Sequence, residues 1–161
     1  MADELNNDLL RLVRDLERAR RAFIEAVQVL PHGVLDAAVD ESGWTARRVV
    51  EYCRASERWH FTRVFSFFEA EVKIYDSPAA CLDHAAPESP ELTLARECAE
   101  VWLAGRETGM WLDVLEGENV DAVRHASSAW PQGGWTIREV FRKVTALYRD
   151  KTKTLKGALR G

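Results

Sequence analysis

The chain has 161 residues and a formal net charge of −4, and 47% of its residues are hydrophobic while 30% are charged. This balance excludes a disordered chain, and the acidic excess argues against a nucleic-acid partner, because nucleic-acid binders usually carry a basic surface. No apolar run approaches the ~20 residues that a membrane helix needs, and the charged N-terminal stretch does not resemble a signal peptide. We therefore expect one domain over residues 1–161, located in the cytoplasm, with no membrane partner.

The first two predicted helices are separated by a segment that contains one proline and two glycines. Apolar residues recur at three- and four-residue steps over roughly residues 4–30, which predicts an amphipathic helix that Pro31 and Gly33 end. A second helix begins at Thr45, a favourable N-cap residue, and runs to about Val72. A loop is predicted from Ile74 to Pro90, where proline, serine and aspartate cluster.

The third and fourth predicted helices cover roughly residues 91–116 and 135–159, with a second long loop between them. Gly105 and Gly109 lie inside the third helix, where each costs about 1 kcal/mol relative to alanine, so they indicate a close helix crossing or a local break. Four apolar stripes of this kind can be buried only against one another. The sequence therefore predicts an all-α four-helix bundle with long connections between helices 2 and 3 and between helices 3 and 4.

An octapeptide occurs twice, as GWTARRVV at residues 43–50 and GWTIREVF at residues 134–141. In each copy a threonine can cap the first turn and the preceding tryptophan can pack on the helix start. One interpretation is a helix-start device that has simply been used twice. The other is that helices 2 and 4 are structurally equivalent halves of one bundle.

Three segments resemble the DinB-like superfamily, which includes the YfiT-type proteins. WTARRVV at 44–50 is similar to the opening of that family's second helix, and YCRASERW at 52–59 is similar to the His-Leu-x-x-x-Glu segment that follows it. GWTIREV at 134–140 is similar to the start of the family's last helix. The resemblance implies a four-helix bundle with a crossover connection that is often dimeric, so we expect a homodimer.

The resemblance also implies a divalent metal held by one histidine of the second helix and two of the last. In this chain the matching positions hold Tyr52, Leu147 and Lys151, and Lys143 lies near a position that is sometimes histidine. Metals prefer imidazole, thiolate or carboxylate ligands, and a protonated lysine repels a cation. We therefore expect no cofactor, and binding of Ni, Zn or Mn is the alternative.

A second set of potential ligands lies on one face of helix 2, where Cys53, Glu57 and His60 follow a helical spacing. The three span about 10 Å along the helix axis, too far to hold one ion without bending, although two of them could form a site with another helix. The same distance argues against a Cys53–His60 nucleophile pair. We favour a structural interpretation in which Cys53 packs in the core, Glu57 pairs with an arginine and His60 hydrogen-bonds near a helix end.

Glu57 stands on the inner stripe of helix 2, and a buried carboxylate needs a partner. Lys143 or Lys151 of helix 4 could supply it, as an internal ion pair where the related proteins keep a metal. Cys53, Cys81 and Cys98 form no CxxC pair and are odd in number, which predicts free thiols in a reducing compartment.

The aromatic run at residues 59–68 can fill the core, and part of it can contact a second subunit. The leading functional hypothesis is a bundle without the family metal that binds a small ligand or a protein partner through a pocket between helices 2 and 4. The alternative is a metal- or thiol-dependent transferase or hydrolase with substituted ligands, and a DNA-damage-linked binding protein is weaker still. The candidate pocket residues are Tyr52, Cys53, Glu57, His60, Lys143, Leu147 and Lys151.

Overall fold

The computed structural model describes residues 1–81, 90–125 and 133–160. These ranges contain four α-helices and no β-strand, so the all-α prediction is confirmed. Parts of both predicted loops, residues 82–89 and 126–132, lie outside the described residues. The helices are α1 (Ala2–Gln28), α2 (Ala46–Phe67), α3 (Pro90–Met110) and α4 (Ile137–Ala158).

Two predicted helix ends are wrong. Helix α2 ends at Phe67 rather than Val72, because Glu69 adopts a left-handed backbone with φ 63° and the chain leaves the helical path. Helix α3 ends at Met110 rather than near residue 116. The next residues, Leu112–Leu115, form a separate short 3-10 helix.

The four helices pack in the cyclic order α1–α4–α2–α3, which places α1 diagonally opposite α2 and α3 diagonally opposite α4. Helix α1 packs most extensively against α4, and α2 against α3, while α2–α4 and α1–α3 contacts close the ring. A short 3-10 helix after α1, His32–Val34, packs against α3 on the way to α2. The connections from α1 to α2 and from α3 to α4 therefore cross the bundle, whereas α2 and α3 are neighbours. Hydrophobic periodicity alone does not specify this arrangement.

The duplicated octapeptide begins α2 and α4 in the same way. The hydroxyl oxygen of Thr45 accepts from the backbone N–H of Arg48 at 3.2 Å, and that of Thr136 accepts from the N–H of Glu139 at 3.0 Å. Both threonines have extended backbones and are the N-caps of their helices. The predicted capping role is confirmed for both copies.

The equivalence extends into the segments that precede the two helices. The backbone N–H of Arg47 donates to Leu35 O, and its guanidinium grips the next residue, Asp36, with Nε–Oδ1 at 3.0 Å. Arg138 repeats both contacts, with its N–H on Val120 O and its Nε 2.6 Å from Asp121 Oδ1. Such repetition exceeds a shared helix-start device and supports the interpretation of two equivalent halves.

A single apolar core fills the centre of the bundle, and all four helices contribute to it. From the aromatic run, Phe61 and Phe65 are buried, as predicted, whereas Phe67 is exposed at the end of α2. Within the described part of the chain, no helix is both long enough and apolar enough to cross a bilayer.

Candidate functional site

The centre of the bundle holds a fully buried carboxylate, that of Glu57 on α2, with 0% of the residue exposed. Arg20 of α1 grips it with two parallel hydrogen bonds, Nε–Oε1 at 2.8 Å and Nη2–Oε2 at 3.0 Å. This planar pairing is the strongest geometry available to an arginine and a carboxylate. The burial expected of Glu57 and its pairing with an arginine are both confirmed.

The two remaining helices complete the hydrogen bonds of the same carboxylate. Thr108 of α3 donates its hydroxyl to Glu57 Oε2 at 2.9 Å, and Tyr148 of α4 donates its own to Oε1 at 3.0 Å. Each carboxylate oxygen thus accepts two hydrogen bonds, which uses its lone pairs fully. We call Arg20, Glu57, Thr108 and Tyr148 the central cluster; it contains one residue from each helix.

The electrostatic environment of the central cluster raises the pKa values of Arg20 and Tyr148. Burial alone would lower the pKa of Arg20, but the Glu57 carboxylate outweighs it and the pKa is raised. Burial, followed by the Glu57 charge, also raises the pKa of Tyr148 well above its ordinary value. Since neither donor releases a proton near neutral pH, the central cluster acts as a closed charge centre rather than an acid–base pair.

Gly105 of α3 makes room for the arginine of the central cluster. A Cβ at this position would lie 2.6 Å from Arg20 Nε and 2.7 Å from its Cζ. The guanidinium therefore lies directly against the helix backbone. Of the two alternatives for the glycines of α3, a close approach applies at Gly105 and the helix continues unbroken through both positions.

The lysines predicted to neutralise Glu57 do not do so. Lys143 is exposed on α4. The ammonium of Lys151 lies 5.2 Å from the ring centre of Trp44 and 3.7 Å from Asp150 Oδ2. An extended lysine at these positions points away from the bundle centre, which Tyr148 fills from the same helix.

Arg20 is not among the residues that the sequence pattern singled out. Its position nevertheless lies four residues after Leu16 and three before Phe23, both of which are buried. This pair is predicted by an arginine inside the apolar stripe of one helix together with a glutamate inside the apolar stripe of another.

Cys53 and His60 take structural roles. Cys53 is fully buried, and burial raises the pKa of its thiol, so it stays protonated. His60 donates Nδ1–H to Ser56 O at 2.6 Å, and burial lowers its pKa to about 4. This bond lies in the interior of α2, so the predicted position near a helix end is wrong.

No three His, Cys, Asp or Glu side chains converge as a metal-binding group in residues 1–81, 90–125 and 133–160. Cys53 and Cys98 are free thiols, as predicted, whereas the side chain of Cys81 lies outside the described residues.

The residues at the positions that the DinB-like resemblance matches to metal ligands lie in an aromatic and cationic surface cluster. Tyr52 is 40% exposed, and its ring meets that of Trp44 edge to face at 5.2 Å. Lys151 lies over the same Trp44, while Leu147 packs partly buried against the core. An alkyl group and an ammonium have no lone pair for a divalent metal, and a neutral phenol is a poor substitute for an imidazole ligand.

A ladder of charged residues joins α2 to α3. Arg54, only 1% exposed, lies 3.5 Å from Glu97 and 3.5 Å from Glu100. Burial raises the pKa of Glu97 despite the nearby arginine. Further along, Arg58 grips Glu107 with two hydrogen bonds of 2.9 and 3.0 Å.

A cleft of about 250 Å³ opens beside this ladder, between α2, α3 and the segment of residues 71–75. Arg63 fixes that segment by donating from Nη2 to Tyr75 O at 2.7 Å. Thr108 belongs to both the cleft wall and the central cluster, so the two share a boundary. The cleft does not lie between helices 2 and 4, where the sequence analysis had placed the pocket. It is lined by Arg58, Phe61, Thr62, Phe65, Glu71, Val72, Lys73, Tyr75, Ala104, Glu107, Thr108 and Trp111.

No protein-family model, curated protein or solved structure matches this chain. The functional assignment therefore depends on the chemistry of the central cluster and of the adjoining cleft.

Proposed function

We propose that this protein is a small-ligand-binding bundle of the DinB-like type, with long connections between its helices, that does not use the family's metal. The observation that carries the proposal is the cleft beside α2 and α3. Four aromatic side chains and a few polar groups line it, and Thr108 of the central cluster forms part of its wall. Small-molecule sites combine apolar walls with a few placed polar groups in this way.

The rigidity of the central cluster supports binding over catalysis. The acceptor sites of Glu57 are filled, and Tyr148 holds its proton. A general acid or base needs a pKa near the working pH and a reacting group within reach. The cluster instead holds all four helices in register, so that the adjoining cleft is preformed.

A homodimer is part of the proposal. Trp102 and Met110 on the outer face of α3 are 53% and 71% exposed, and large exposed apolar side chains favour protein contacts. Sedimentation of the purified protein tests this directly, and a monomer at all concentrations contradicts it.

The binding proposal is tested with a library of single-ring compounds titrated into the protein by calorimetry. The cleft is blocked in a Val72→Trp variant, because Val72 lines it, and spared in Ile74→Trp, because Ile74 is exposed outside it. We expect compounds that bind the native protein and Ile74→Trp but lose affinity for Val72→Trp by at least about tenfold. Equal binding to both variants, or no binding at all, contradicts the proposal.

The competing function is a metal- or thiol-dependent enzyme with substituted ligands. Protein purified without chelator and then offered Ni, Zn or Mn distinguishes it by elemental analysis. We expect no stoichiometric metal, since Tyr52, Leu147 and Lys151 do not form a ligand set. Stoichiometric metal that is lost in Cys53→Ser or His60→Ala favours the enzyme.

A further inference from the structure

The mouth of the cleft carries two opposite charges, those of Glu71 and Lys73, that no other side chain in the described part of the chain neutralises. Glu71 and Lys73 are both exposed on the segment that closes the cleft. Among the described residues neither has an ion-pair partner, and the ammonium of Lys73 lies 4.9 Å from the ring centre of Tyr75. The other two charges of the cleft, Arg58 and Glu107, satisfy each other. The mouth therefore offers one cation and one anion to a ligand.

Thr108 is a buried residue of the cleft wall, and its hydroxyl oxygen is capable of accepting a hydrogen bond. The hydroxyl of Thr108 has one hydrogen, which it donates within the protein to Glu57 Oε2 at 2.9 Å, with Ala104 O at 3.1 Å as a second acceptor. A threonine oxygen whose hydrogen is committed keeps a lone pair and can only accept. A ligand group that reaches Thr108 must therefore be a donor.

The walls between the mouth and Thr108 are aromatic. Phe61 and Phe65 come from α2, Tyr75 from the closing segment and Trp111 from the end of α3. Aromatic side chains favour a ring that stacks or meets them edge to face. The volume of about 250 Å³ lies below the roughly 300–1,000 Å³ of typical drug-sized sites, which limits the ligand to about one ring and a short chain.

We propose that the cleft takes an aromatic zwitterion, an α-amino acid whose ring ends in a hydrogen-bond donor. Its carboxylate meets Lys73, its ammonium meets Glu71, its ring lies between the aromatic walls and its donor reaches Thr108. This inference rests on the proposed function and adds the class of ligand to it.

The test compares four probes by calorimetry: tyrosine, phenylalanine, tyramine and 3-(4-hydroxyphenyl)propionate. The last three each lack one feature of tyrosine, namely the ring hydroxyl, the carboxylate and the ammonium. We expect tyrosine to bind most tightly and each of the others to bind about tenfold more weakly, because each leaves one polar group of the site unpaired.

Two exposed substitutions assign the charges. Lys73→Ala should weaken the binding of tyrosine, phenylalanine and 3-(4-hydroxyphenyl)propionate several-fold and leave that of tyramine unchanged. Glu71→Gln should weaken the binding of tyrosine, phenylalanine and tyramine and leave that of 3-(4-hydroxyphenyl)propionate unchanged. Equal affinities for all four probes, no tyrosine binding, or no effect of either substitution overturns the zwitterion. If other single-ring compounds bind the native protein and Ile74→Trp but lose affinity for Val72→Trp, only this inference fails. If none binds, the proposed function fails with it.

Discussion

Glu57 shows how one buried charge can connect four helices. Taking a carboxylate out of water is expensive, and only a closely matched partner with further hydrogen bonds offsets that cost. Arg20, Thr108 and Tyr148 provide this match from three different helices. A bundle that slid along any one helix would break at least one of these bonds, so the central cluster selects one packing register.

Removing the charge of Glu57 should destabilise the protein strongly. In Glu57→Gln the shape is kept, but the Arg20 guanidinium is left buried without its counter-charge. We expect the free energy of unfolding in urea to fall by about 3–5 kcal/mol. Asp36→Asn is the matched control, because it breaks an equally bidentate pair, with Arg47, at the exposed surface. Similar small losses in both variants would contradict a structural role for the central cluster.

His60 should make stability depend on pH. In the unfolded chain the histidine binds a proton near its ordinary pKa of 6.5, whereas burial in the folded protein lowers that pKa to about 4. The stability contributed by neutral His60 is therefore complete above pH 6.5 and is lost as the pH falls toward 4, by at most about 1.4 kcal/mol per pH unit. Urea unfolding between these pH values should show this slope, and His60→Gln should reduce it. The same change at His125, which is exposed, should leave the slope intact.

At the residue scale, the sequence predicts which side chains are buried more readily than which side chains they contact. Glu57 was placed inside because it shares a stripe with Cys53 and Val64, and both are buried. Its partner could not be chosen from the fourth helix alone, because periodicity gives the face of a helix and not which helix it meets. The contacts of α1 with the other helices bring Arg20 to Glu57.

At the scale of elements, helix α3 gives up helix stability at Gly105 for a close contact. A glycine in a helix interior costs about 1 kcal/mol relative to alanine. At Gly105 this cost admits the Arg20 guanidinium, whereas a Cβ at Gly109 would meet nothing within 4 Å. The close approach of Arg20 therefore accounts for Gly105, whereas no neighbouring atom accounts for Gly109.

The variants Gly105→Ala and Gly109→Ala test this difference between the two glycines. Gly109→Ala should raise the free energy of unfolding by up to about 1 kcal/mol, because alanine favours the helix. Gly105→Ala should lower it, because the new Cβ displaces Arg20 from Glu57. Thermal and urea denaturation of both variants check the signs, and a stabilised Gly105→Ala would show that Arg20 moves away at no cost.

At the scale of the whole molecule, the two equivalent halves meet at the central cluster. Glu57 lies 12 residues after the cap Thr45, and Tyr148 lies 12 residues after the cap Thr136. These corresponding positions of α2 and α4 hydrogen-bond each other. The octapeptide repeat therefore indicated that α2 and α4 are equivalent, and the different residues at matching positions, a carboxylate and a phenol, form the hydrogen bond between them.

The cleft could not be predicted in the same way. Its outer wall is the segment of residues 71–75, which the sequence placed partly in a helix and partly in a loop. The segment reaches its position because α2 ends early at Phe67 and Arg63 holds Tyr75 O. A helix end and one side-chain contact to a backbone carbonyl decide this site, and neither leaves a periodic signal.

Ligand binding in the cleft between α2 and α3 without a metal is tested most directly by an amide NMR titration. Chelator-treated protein is titrated with tyrosine and other single-ring compounds. We expect chemical-shift changes confined to the amides of residues around Thr108, Trp111 and Lys73. Shifts centred on Tyr52 and Lys151, or shifts that occur only after a divalent metal is added, would contradict it.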